Sequence, residues 1–577
     1  MAISQIIVLS SLLVLVVELV RGKRSPGVVF AAVALLYLLL GYVDTKSVLE
    51  HFSNNGLITV MVLLLVSIAV DKSRLLDRGA DGLLRGGYRW ALLKLTVVVA
   101  SYSAFLNNTA VVASLIGPIR ATTRHPPSRL LLPMCYAASV GGVLTLVGTS
   151  TNLLVSSFLI SSGRPGLAMF DPLPVGLLVM VTSVATMVLM YPKVLPSGAV
   201  RDELQDEYFL EARVRVGSTL IGQTVQANGL RHLGYLFLSE IVRGERLIAP
   251  VEPDEVIESG DKLVFAGDVS RLDLLAGFDG LEMYGQRHGL PMENLLEVVV
   301  LAGSSIARRT VRDVDFRSQF DAAVVAIRRG DKRVGGSLGS TLLEVGDVLV
   351  LAVGRDFEKR NNVGRNFIVV SRPSVAKFID SRKGLVAVAG FAAVIALSAT
   401  GTVEFLKGLI VLLAAFLLFG YTKVAELRRN LPYELFFIIG SALVISAVMT
   451  STGAAATVSS AVLVVFAPFG DRGALASVLI LAWILTELMT NNAAAALVFP
   501  VAIGISDSLG ISAMPLVMAV LFGASCSFLT PYGYQTNLMV MGPGKYTIRD
   551  YLRAGAPLAA VYLVTAWLAI PLFFPLR

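Results

Sequence analysis

Charged side chains are scarce in this chain: Asp, Glu, Lys and Arg make up 16% of its 577 residues, against roughly 25% in soluble proteins. Hydrophobic residues make up 55%, and an aqueous fold cannot hide that much apolar surface, so lipid must solvate part of it. The net charge of +8 does not indicate nucleic acid, because the basic residues lie mostly in short segments beside apolar runs. The composition indicates a multi-pass membrane protein.

Cysteine and histidine are also rare, with two and four copies. Cys135 and Cys526 lie in apolar segments and form no zinc or disulfide pattern, so we expect both to pack as small apolar side chains. The histidines are scattered and show no metal-binding spacing, so we expect no transition metal. No phosphate loop and no Ser-His-Asp constellation is present, which argues against an ATP-driven pump and against an enzyme.

Apolar runs divide the chain into two membrane halves, 1–195 and 380–577, separated by a polar insert. A helix that crosses a bilayer needs ~20 apolar residues, and fewer when it is broken or forms a hairpin. The predicted membrane segments are 2–20, 27–43, 56–70, 90–119, 130–160 and 173–191 in the first half, and 384–400, 404–420, 432–451, 454–469, 474–505, 513–545 and 556–575 in the second.

Basic clusters between these segments predict the orientation. All five lie on one side of the membrane if 90–119 and 474–505 are re-entrant hairpins that do not cross it. Because basic residues are enriched in cytoplasmic loops, we expect that side to be the cytoplasmic side of the cell membrane. The insert is then cytoplasmic and both termini are outside. The clusters are Arg21, Lys23 and Arg24; Lys72, Arg74, Arg78 and Arg85; Arg120, Arg124 and Arg129; Lys423, Arg428 and Arg429; and Lys545, Arg549 and Arg553.

The insert contains an internal repeat with an offset of 86 residues, since Arg243-Gly244 recurs as Arg329-Gly330 and Gly260-Asp261 as Gly346-Asp347. Each copy predicts a strand, a small helix, alternating β-structure and an apolar strand after Gly-Asp, which is typical of a small α+β fold. The predicted units are 200–275 and 290–372, their helices Ile221–Gln226 and Thr310–Val314, and the link between them 270–296.

Polar motifs inside the apolar segments are repeated as well. Asn107-Asn108-Thr109 has a counterpart in Asn491-Asn492-Ala493, and Gly148-Thr149-Ser150-Thr151-Asn152 has one in Gly533-Tyr534-Gln535-Thr536-Asn537. The first and last Asn are 45 residues apart in one half and 46 in the other. We predict five crossings and one hairpin per half, and an odd number of crossings gives the two halves opposite orientations, as in inverted repeats of secondary transporters.

These motifs predict unwound backbone within the membrane, which is tolerated only where protein or water meets it. Free carbonyl and amide oxygens suit Na⁺, and the N–H groups of helix N-termini suit an anion. The alternative is that the amides and hydroxyls only bind helices together. Glu487, four residues before Asn491, is an intramembrane carboxylate that could take a proton, assist a cation or pair with a lysine, so coupling to Na⁺ or H⁺ stays open.

With these motifs the chain resembles the divalent anion:sodium symporter family, whose members carry dicarboxylates, citrate or sulfate as homodimers with an elevator motion. The insert resembles paired TrkA C-terminal domains, which bind nucleotide-like ligands in some proteins, or could serve as a dimerisation clamp. Tyr534 and Ala493 depart from the family motifs, and the run from Gly533 to Asn537 is similar to sulfate-type carriers. The resemblance implies substrate-binding residues Asn107, Asn108, Thr109, Asn491, Asn492, Thr151 and Thr536, and Na⁺-binding residues Asn108, Gly148, Thr149, Asn152, Asn492, Gly533 and Asn537.

The sequence thus predicts a mainly α membrane protein with an inverted repeat and an α+β insert. The predicted function is symport of a small divalent anion, sulfate first and dicarboxylate second, with Na⁺ or H⁺ and no organic cofactor. A channel gated by the insert is one alternative, although it would need a filter such as Thr-Val-Gly-Tyr-Gly or rings of charge, which the sequence lacks. A non-transporting receptor is the other, and it would not need two polar breaks.

Overall fold

The computed structural model describes residues 3–21, 24–71, 80–122, 124–195, 209–230, 236–244, 246–248, 251–267, 280–283, 295–301, 304–329, 332–334, 338–354, 356–357, 360, 362–369, 381–429 and 431–577. The basic residues Lys23, Lys72, Arg74 and Arg78, the turn residue Gly330, and the predicted boundaries of the insert units near 200, 275, 290 and 372 lie outside these ranges.

The first half is helical and contains the breaks that the sequence predicts. The segment 90–119 is two helices separated at 104–107, and the segment 130–160 is two helices separated at 143–149. A short helix after Asp44 was not predicted; it is polar, and the Asp44 carboxylate accepts from Ser47 N at its start. The helices are α1 (Ile3–Arg21), α2 (Pro26–Leu39), α3 (Thr45–Phe52), α4 (Asn55–Asp71), α5 (Ala80–Leu83), α6 (Tyr88–Ser103), α7 (Asn108–Ala121), α8 (Pro127–Gly142), α9 (Ser150–Ser161) and α10 (Leu173–Val194).

The insert forms two antiparallel five-stranded sheets with the same connectivity, ordered β3-β2-β4-β1-β5 and β8-β7-β9-β6-β10. Each strand of the second sheet begins 86 residues after its counterpart in the first. The elements are β1 (Phe209–Val214), β2 (Leu236–Arg243), β3 (Arg246–Ile248), β4 (Lys262–Gly267), β5 (Leu281–Met283), β6 (Leu295–Val300), α11 (Phe316–Phe320), β7 (Ala322–Arg329), β8 (Lys332–Arg333), β9 (Val348–Val353), α12 (Val363–Asn366) and β10 (Phe367–Val369).

The same ion pair stabilises both sheets. Arg243 donates to the fully buried Asp261 at 2.9 Å, and Arg329 donates to the fully buried Asp347 at 2.8 Å. Burial costs a carboxylate its hydration, and the bidentate guanidinium compensates for that loss. The Gly-Asp turn that recurs in the sequence therefore places a carboxylate under the end of the preceding long strand in each unit.

Two expectations for the insert were wrong. The segments predicted as small helices, 221–226 and 310–314, are irregular turns, each joined to a distant segment by an isolated bridge from Thr224 to Val256 and from Thr310 to Leu342. The predicted link contains β5, which pairs with β1 through Ala212 and Met283. Long-range strand pairing decided the structure of both segments, and local periodicity does not report it.

The second half resumes with helices α13 (Ser381–Ala399), α14 (Phe405–Leu418), α15 (Val424–Arg429), α16 (Tyr433–Ser451), α17 (Ala454–Phe466), α18 (Gly470–Leu488), α19 (Asn491–Leu509), α20 (Ala513–Ala524), α21 (Gln535–Met541) and α22 (Ile548–Phe573). The predicted hairpin 474–505 is α18 and α19, and the broken segment 513–545 is α20 and α21.

Helices of the two halves pack against each other around one large apolar core. The pairs α2 with α16, α4 with α14, and α10 with α22 all join the halves, and α6 packs on α8 as α18 packs on α20. Among the described residues, six apolar helical stretches are long enough to cross a membrane: Ile3–Arg21, Thr45–Val70, Leu173–Val194, Tyr433–Ser451, Asn491–Leu509 and Ile548–Phe573. The protein is therefore mainly helical and multi-pass.

Candidate functional site

The first hairpin turns at the predicted tip between α6 and α7. Asn107 is the N-cap of α7, and its side-chain oxygen accepts from the backbone N–H of Thr109 at 2.9 Å. Asn108 is the first helical residue, and its Oδ1 accepts from the hydroxyl of Ser103 at 2.5 Å. This bond fixes the amide of a residue that is only 3% exposed, and it leaves Nδ2 to point elsewhere.

The second hairpin repeats these contacts, but one residue out of the predicted register. Thr490 is the N-cap of α19 and accepts from Ala493 N. Asn491 is the first helical residue, and its Oδ1 accepts from Thr486 Oγ1 at 2.7 Å. By capping and by hydrogen bonding, Asn491 is the counterpart of Asn108, so Asn492 matches Thr109 in the first hairpin.

The first break, between α8 and α9, is held by Asn152. Its Nδ2 donates to the carbonyl oxygens of Thr145 at 2.7 Å and Gly142 at 3.3 Å, and the Thr145 hydroxyl donates to the carbonyl of Ala104 in the hairpin. The break and the first hairpin tip are therefore one connected unit. The Oδ1 atom of Asn152 is buried and has no hydrogen-bond partner among the described residues.

The second break uses the matching contacts with one difference. Asn537 Nδ2 donates to the carbonyls of Ser527 at 2.9 Å and Thr530 at 3.0 Å. Its Oδ1, however, accepts from Cys135 in α8 at 3.1 Å. Cys135 also lies 3.2 Å from the hydroxyl of Thr536, so this predicted substrate residue contacts α8, and none of its described contacts reaches the two tips.

The predicted residues of the two halves meet directly. Asn108 Nδ2 donates to the Tyr534 hydroxyl at 3.1 Å, which joins the first tip to the second break. Thr151 Oγ1 donates to Asn492 Oδ1 at 3.0 Å, and Asn492 Nδ2 donates to Ser150 Oγ at 3.2 Å, which joins the first break to the second tip. The N-terminal ends of α7, α9, α19 and α21 thus surround one polar region between the halves.

A cluster of oxygen atoms surrounds Gly148 in the first break. A Cβ at this position would lie 2.5 Å from the carbonyl oxygen of Gly142, 2.9 Å from that of Ala104 and 3.0 Å from that of Ser103. With the unpartnered Oδ1 of Asn152, this part of the protein concentrates buried oxygen dipoles. Such dipoles repel one another unless a hydrogen-bond donor or a hard cation satisfies them.

At the corresponding place in the second half, the carboxylate of Glu487 accepts four hydrogen bonds. Oε1 accepts from the backbone N–H of Phe528 at 2.9 Å and Leu529 at 2.8 Å, while Oε2 accepts from the N–H and the hydroxyl of Thr530, both at 3.1 Å. A carboxylate offers about four lone-pair positions, and all are used. The same Oε2 lies 3.2 Å from where a Cβ on Gly533 would be. In this arrangement Glu487 organises the second break; its role in coupling stays a prediction.

Sequence reasoning missed the hydroxyls of Ser103 and Thr486, which lie five residues before the asparagines that they hold. Their shared spacing from each asparagine was a usable signal. It also missed that Tyr534, noted only as a departure from a motif, crosses to the other half. Cys135 was expected to pack as an apolar side chain, and it is fully buried, but its thiol also contacts the second break.

Comparison with known proteins agrees with a multi-pass membrane protein. The family model described as "Citrate transporter" matches residues 12–523, most of the chain. The chain belongs to the citrate transporter (CitMHS) family. Proteins similar to it include a putative sulfur deprivation response regulator of Chlamydomonas reinhardtii, 29% identical over 96% of this chain and all of the relative. An uncharacterised transporter of Synechocystis is 29% identical over 94% of this chain and 92% of its own.

A third relative, sodium/sulfate cotransporter 1 of Chlamydomonas reinhardtii, is 28% identical over 64% of this chain and 43% of its own length. Membership of the citrate transporter family makes this protein a membrane transporter. The names of some of its relatives include both sodium and sulfate.

Proposed function

We propose that this protein is a secondary-active symporter for a small divalent anion, with sulfate as the first choice and a dicarboxylate as the second. The observation that carries the proposal is the meeting of both tips and both breaks through the contacts of Asn108 with Tyr534 and of Thr151 with Asn492. An inverted repeat would bring four helix N-termini together in this way. Elevator motion and a homodimer complete the proposal by resemblance.

The anion would be held by neutral donors at these helix N-termini, where unpaired N–H groups and the helix dipole favour negative charge. Asn108, Asn492 and Thr151 each have a side chain directed to the interface between the halves. Neutral donors suit a transported anion, because a fixed buried cation would retain it too tightly for release. Asn107, Thr109, Asn491 and Thr536 stay predictions as substrate residues, since their described contacts are local or face α8.

The coupling cation would bind in the first break. The carbonyl oxygens around Gly148 and the unpartnered Oδ1 of Asn152 are hard ligands of the kind that Na⁺ prefers. The sodium named for related cotransporters supports Na⁺ as the coupling ion. In the second half, Gly533 and Asn537 lie beside the saturated carboxylate of Glu487 and the thiol of Cys135, so we place the principal Na⁺ site at Gly148 and Asn152.

The insert would be a pair of TrkA-C-like domains that regulates transport through its second sheet. Glu297 of β6 pairs with Arg120 at the end of α7, and Arg328 of β7 donates to the carbonyl of Gly542, directly after α21, at 2.9 Å. Val348 of β9 packs so closely on Gly542 that a Cβ there would clash. The second sheet therefore contacts the C-terminal ends of α7 and α21, and the N-terminal ends of the same two helices carry Asn108 and Tyr534. A nucleotide-like ligand or a dimer contact that moved the sheet would move both.

The function is tested by uptake of labelled sulfate into proteoliposomes that contain the full chain. Accumulation against a gradient, driven by Na⁺ or by protons, supports a symporter and identifies the coupling ion. Equilibration without any driving gradient would indicate a channel gated by the insert, and anion binding without flux would indicate a receptor. Citrate and succinate are measured in parallel, because the family name and the resemblance include carboxylates.

The site is tested with Asn108→Ala, which removes the bonds to Ser103 and Tyr534. We expect uptake to be abolished while the protein still inserts and purifies as a monodisperse species. Ser114→Ala is the control, because this serine lies on the same helix and bonds only to the carbonyl of Val111 in the described structure. Full uptake by Asn108→Ala would rule out the first tip as the anion site.

Regulation is tested with a cycle of Glu297→Ala, Arg120→Ala and the double variant, because a cycle isolates the pair. We expect the maximal rate to change several-fold while KM for the anion stays within about twofold. Glu211→Ala is the matched control, since this residue holds the equivalent position in the first sheet, 86 residues earlier.

We also expect deletion of 201–372 to leave some transport. Complete loss of transport in a folded truncated chain would mean that the insert is not only regulatory.

A further inference from the structure

Tyr534 and Thr149 occupy matching positions in the two breaks, directly before α21 and α9. Their backbones are nearly identical, with φ −144° and ψ 142° at Tyr534 and φ −143° and ψ 147° at Thr149. The two side chains therefore leave the backbone with the same local geometry. One half presents a small hydroxyl side chain at this point, and the other half presents a phenol.

The phenol extends from the second half into the first. Its hydroxyl accepts from Asn108 Nδ2 at 3.1 Å and also interacts with Thr149. Because Asn108 is only 3% exposed, the ring ends inside the polar region where the tips and breaks meet. In the first break the matching residue is Thr149, so that break has no phenol to offer Asn491, the second-half counterpart of Asn108. The region is therefore asymmetric, and the asymmetry is an aromatic ring.

We propose that Tyr534 is the specificity-determining residue of the anion site: its ring limits the length of the site, and its hydroxyl binds an oxygen of a compact tetrahedral oxyanion. This inference rests on the proposed function of the same site. A side chain that fills space selects by exclusion, because a longer dianion could enter only by displacing the ring from Asn108 and Thr149. An extended dicarboxylate is therefore rejected on size.

The hydroxyl adds a positive contribution for the accepted anion. A tyrosine hydroxyl has one proton to donate and two lone pairs. Its two lone pairs can accept from Asn108 Nδ2 and from the Thr149 hydroxyl, which leaves its own proton for an anion oxygen next to that amide. A phenol held in this way is a neutral, preoriented donor, which strengthens binding without the charge that would hinder release.

The unaltered protein gives the first measurement. Inhibition of labelled sulfate uptake is measured with dianions of increasing length, namely unlabelled sulfate, malonate and succinate. We expect inhibition by sulfate and none by a 100-fold excess of succinate. If succinate competes as well as sulfate does, the size limit is refuted while anion transport stands. If the unaltered chain transports none of these anions under any gradient, the proposed function fails and this inference fails with it.

Two substitutions separate the ring from the hydroxyl. Tyr534→Phe keeps the ring, so we expect KM for sulfate to rise about tenfold, as the loss of one hydrogen bond predicts, while succinate stays excluded. Tyr534→Thr copies the residue of the first break, so we expect succinate uptake to appear and the sulfate-to-succinate ratio of kcat/KM to fall at least about 100-fold. The same changes at Tyr532, an exposed tyrosine of the same break, are the controls.

Folding is checked by size-exclusion chromatography and thermal unfolding. A folded Tyr534→Thr that still excludes succinate overturns the proposal, and so does a Tyr534→Phe that admits it. If Tyr534→Thr does not fold, the size limit is tested with the unaltered protein and Tyr534→Phe. The measurement is the shift in melting temperature that sulfate or succinate causes in each. Stabilisation of both proteins by sulfate alone supports the size limit, and stabilisation of either by succinate refutes it.

Discussion

Replacement of Glu487 by glutamine distinguishes a structural carboxylate from a coupling site. The carboxylate accepts four hydrogen bonds, three from consecutive backbone N–H groups and one from the Thr530 hydroxyl. An amide keeps one acceptor oxygen, so Glu487→Gln can satisfy the two donors at Oε1. The new NH₂ group would face the two donors at Oε2. The Thr530 hydroxyl can turn to the carbonyl oxygen of residue 487, 3.4 Å away, and accept from the NH₂ group, but the Thr530 N–H would lose its acceptor.

Each buried donor left without an acceptor costs about 1–3 kcal/mol. The single donor predicts a loss of about 1–3 kcal/mol in the free energy of unfolding of this region. That loss is a substantial fraction of the stability of an ordinary domain, about 5–15 kcal/mol. We therefore expect a clearly lower midpoint of thermal unfolding and loss of uptake, whichever ion drives transport.

The assay is thermal unfolding of the purified full-length protein in detergent, followed by uptake in proteoliposomes under Na⁺ or proton gradients. Glu404→Gln is the control, because Glu404 is about half exposed and its ion pair among the described residues is with Lys407 one turn later, a contact worth at most about 1 kcal/mol. An unchanged midpoint for Glu487→Gln, together with loss of proton dependence alone, would refute the structural role and indicate a titrating coupling site.

Three further predictions concern the first break and the insert. Gly148→Ala should abolish Na⁺-dependent uptake, because its methyl group would occupy the space between the carbonyl oxygens; uptake with unchanged Na⁺ dependence would contradict the cation site. Burial raises the pKa of Glu240 to about 7 from its ordinary 4.5, so its ionisation opposes folding. The insert should lose up to about 3 kcal/mol as pH rises from 4.5 through 7. Glu240→Gln should remove that loss, as measured by protease susceptibility of the full chain between pH 5 and 8.5; an identical pH dependence in the variant would refute it. Arg243→Ala leaves buried Asp261 without its partner and should cost about 3–5 kcal/mol; equal protease resistance of variant and parent would count against this.

The sequence was sufficient for the helical breaks but not for the register of the second hairpin. The sequence contains the same Asn-Asn pair at 107–108 and at 491–492. The helix nevertheless begins one residue earlier in the second pair, because Thr490 is the N-cap there. Thr and Asn both make good caps, so local preference does not decide between them. The bond from Thr486 to Asn491 decides it, and such a bond is visible only when both helices of the hairpin are in place.

Contacts between the halves were beyond sequence reasoning for a different reason. Asn108 and Tyr534 are 426 residues apart in the chain, and no periodicity connects them. The short helix α3 has no apolar run and was missed, because its stability comes from the Asp44 cap and from packing on α16. In the insert, the 86-residue offset was readable from two recurring glycine-containing turns, and Gly244, Gly260 and Gly346 have the positive φ that glycine adopts readily.

The bonds that join the two halves also have a consequence for biosynthesis. Thr151 is made 341 residues before its partner Asn492, which is a delay of about 20–70 seconds at ~5–20 residues per second. During that interval the first break, which carries Thr151, has no partner from the second half. The insert emerges from the ribosome within the same interval, and Glu297 can pair with Arg120 before any of the second half exists. We therefore expect the insert to stabilise the first half until the second half has been made. Truncated chains that end before residue 295 should be degraded faster than chains that end near residue 370.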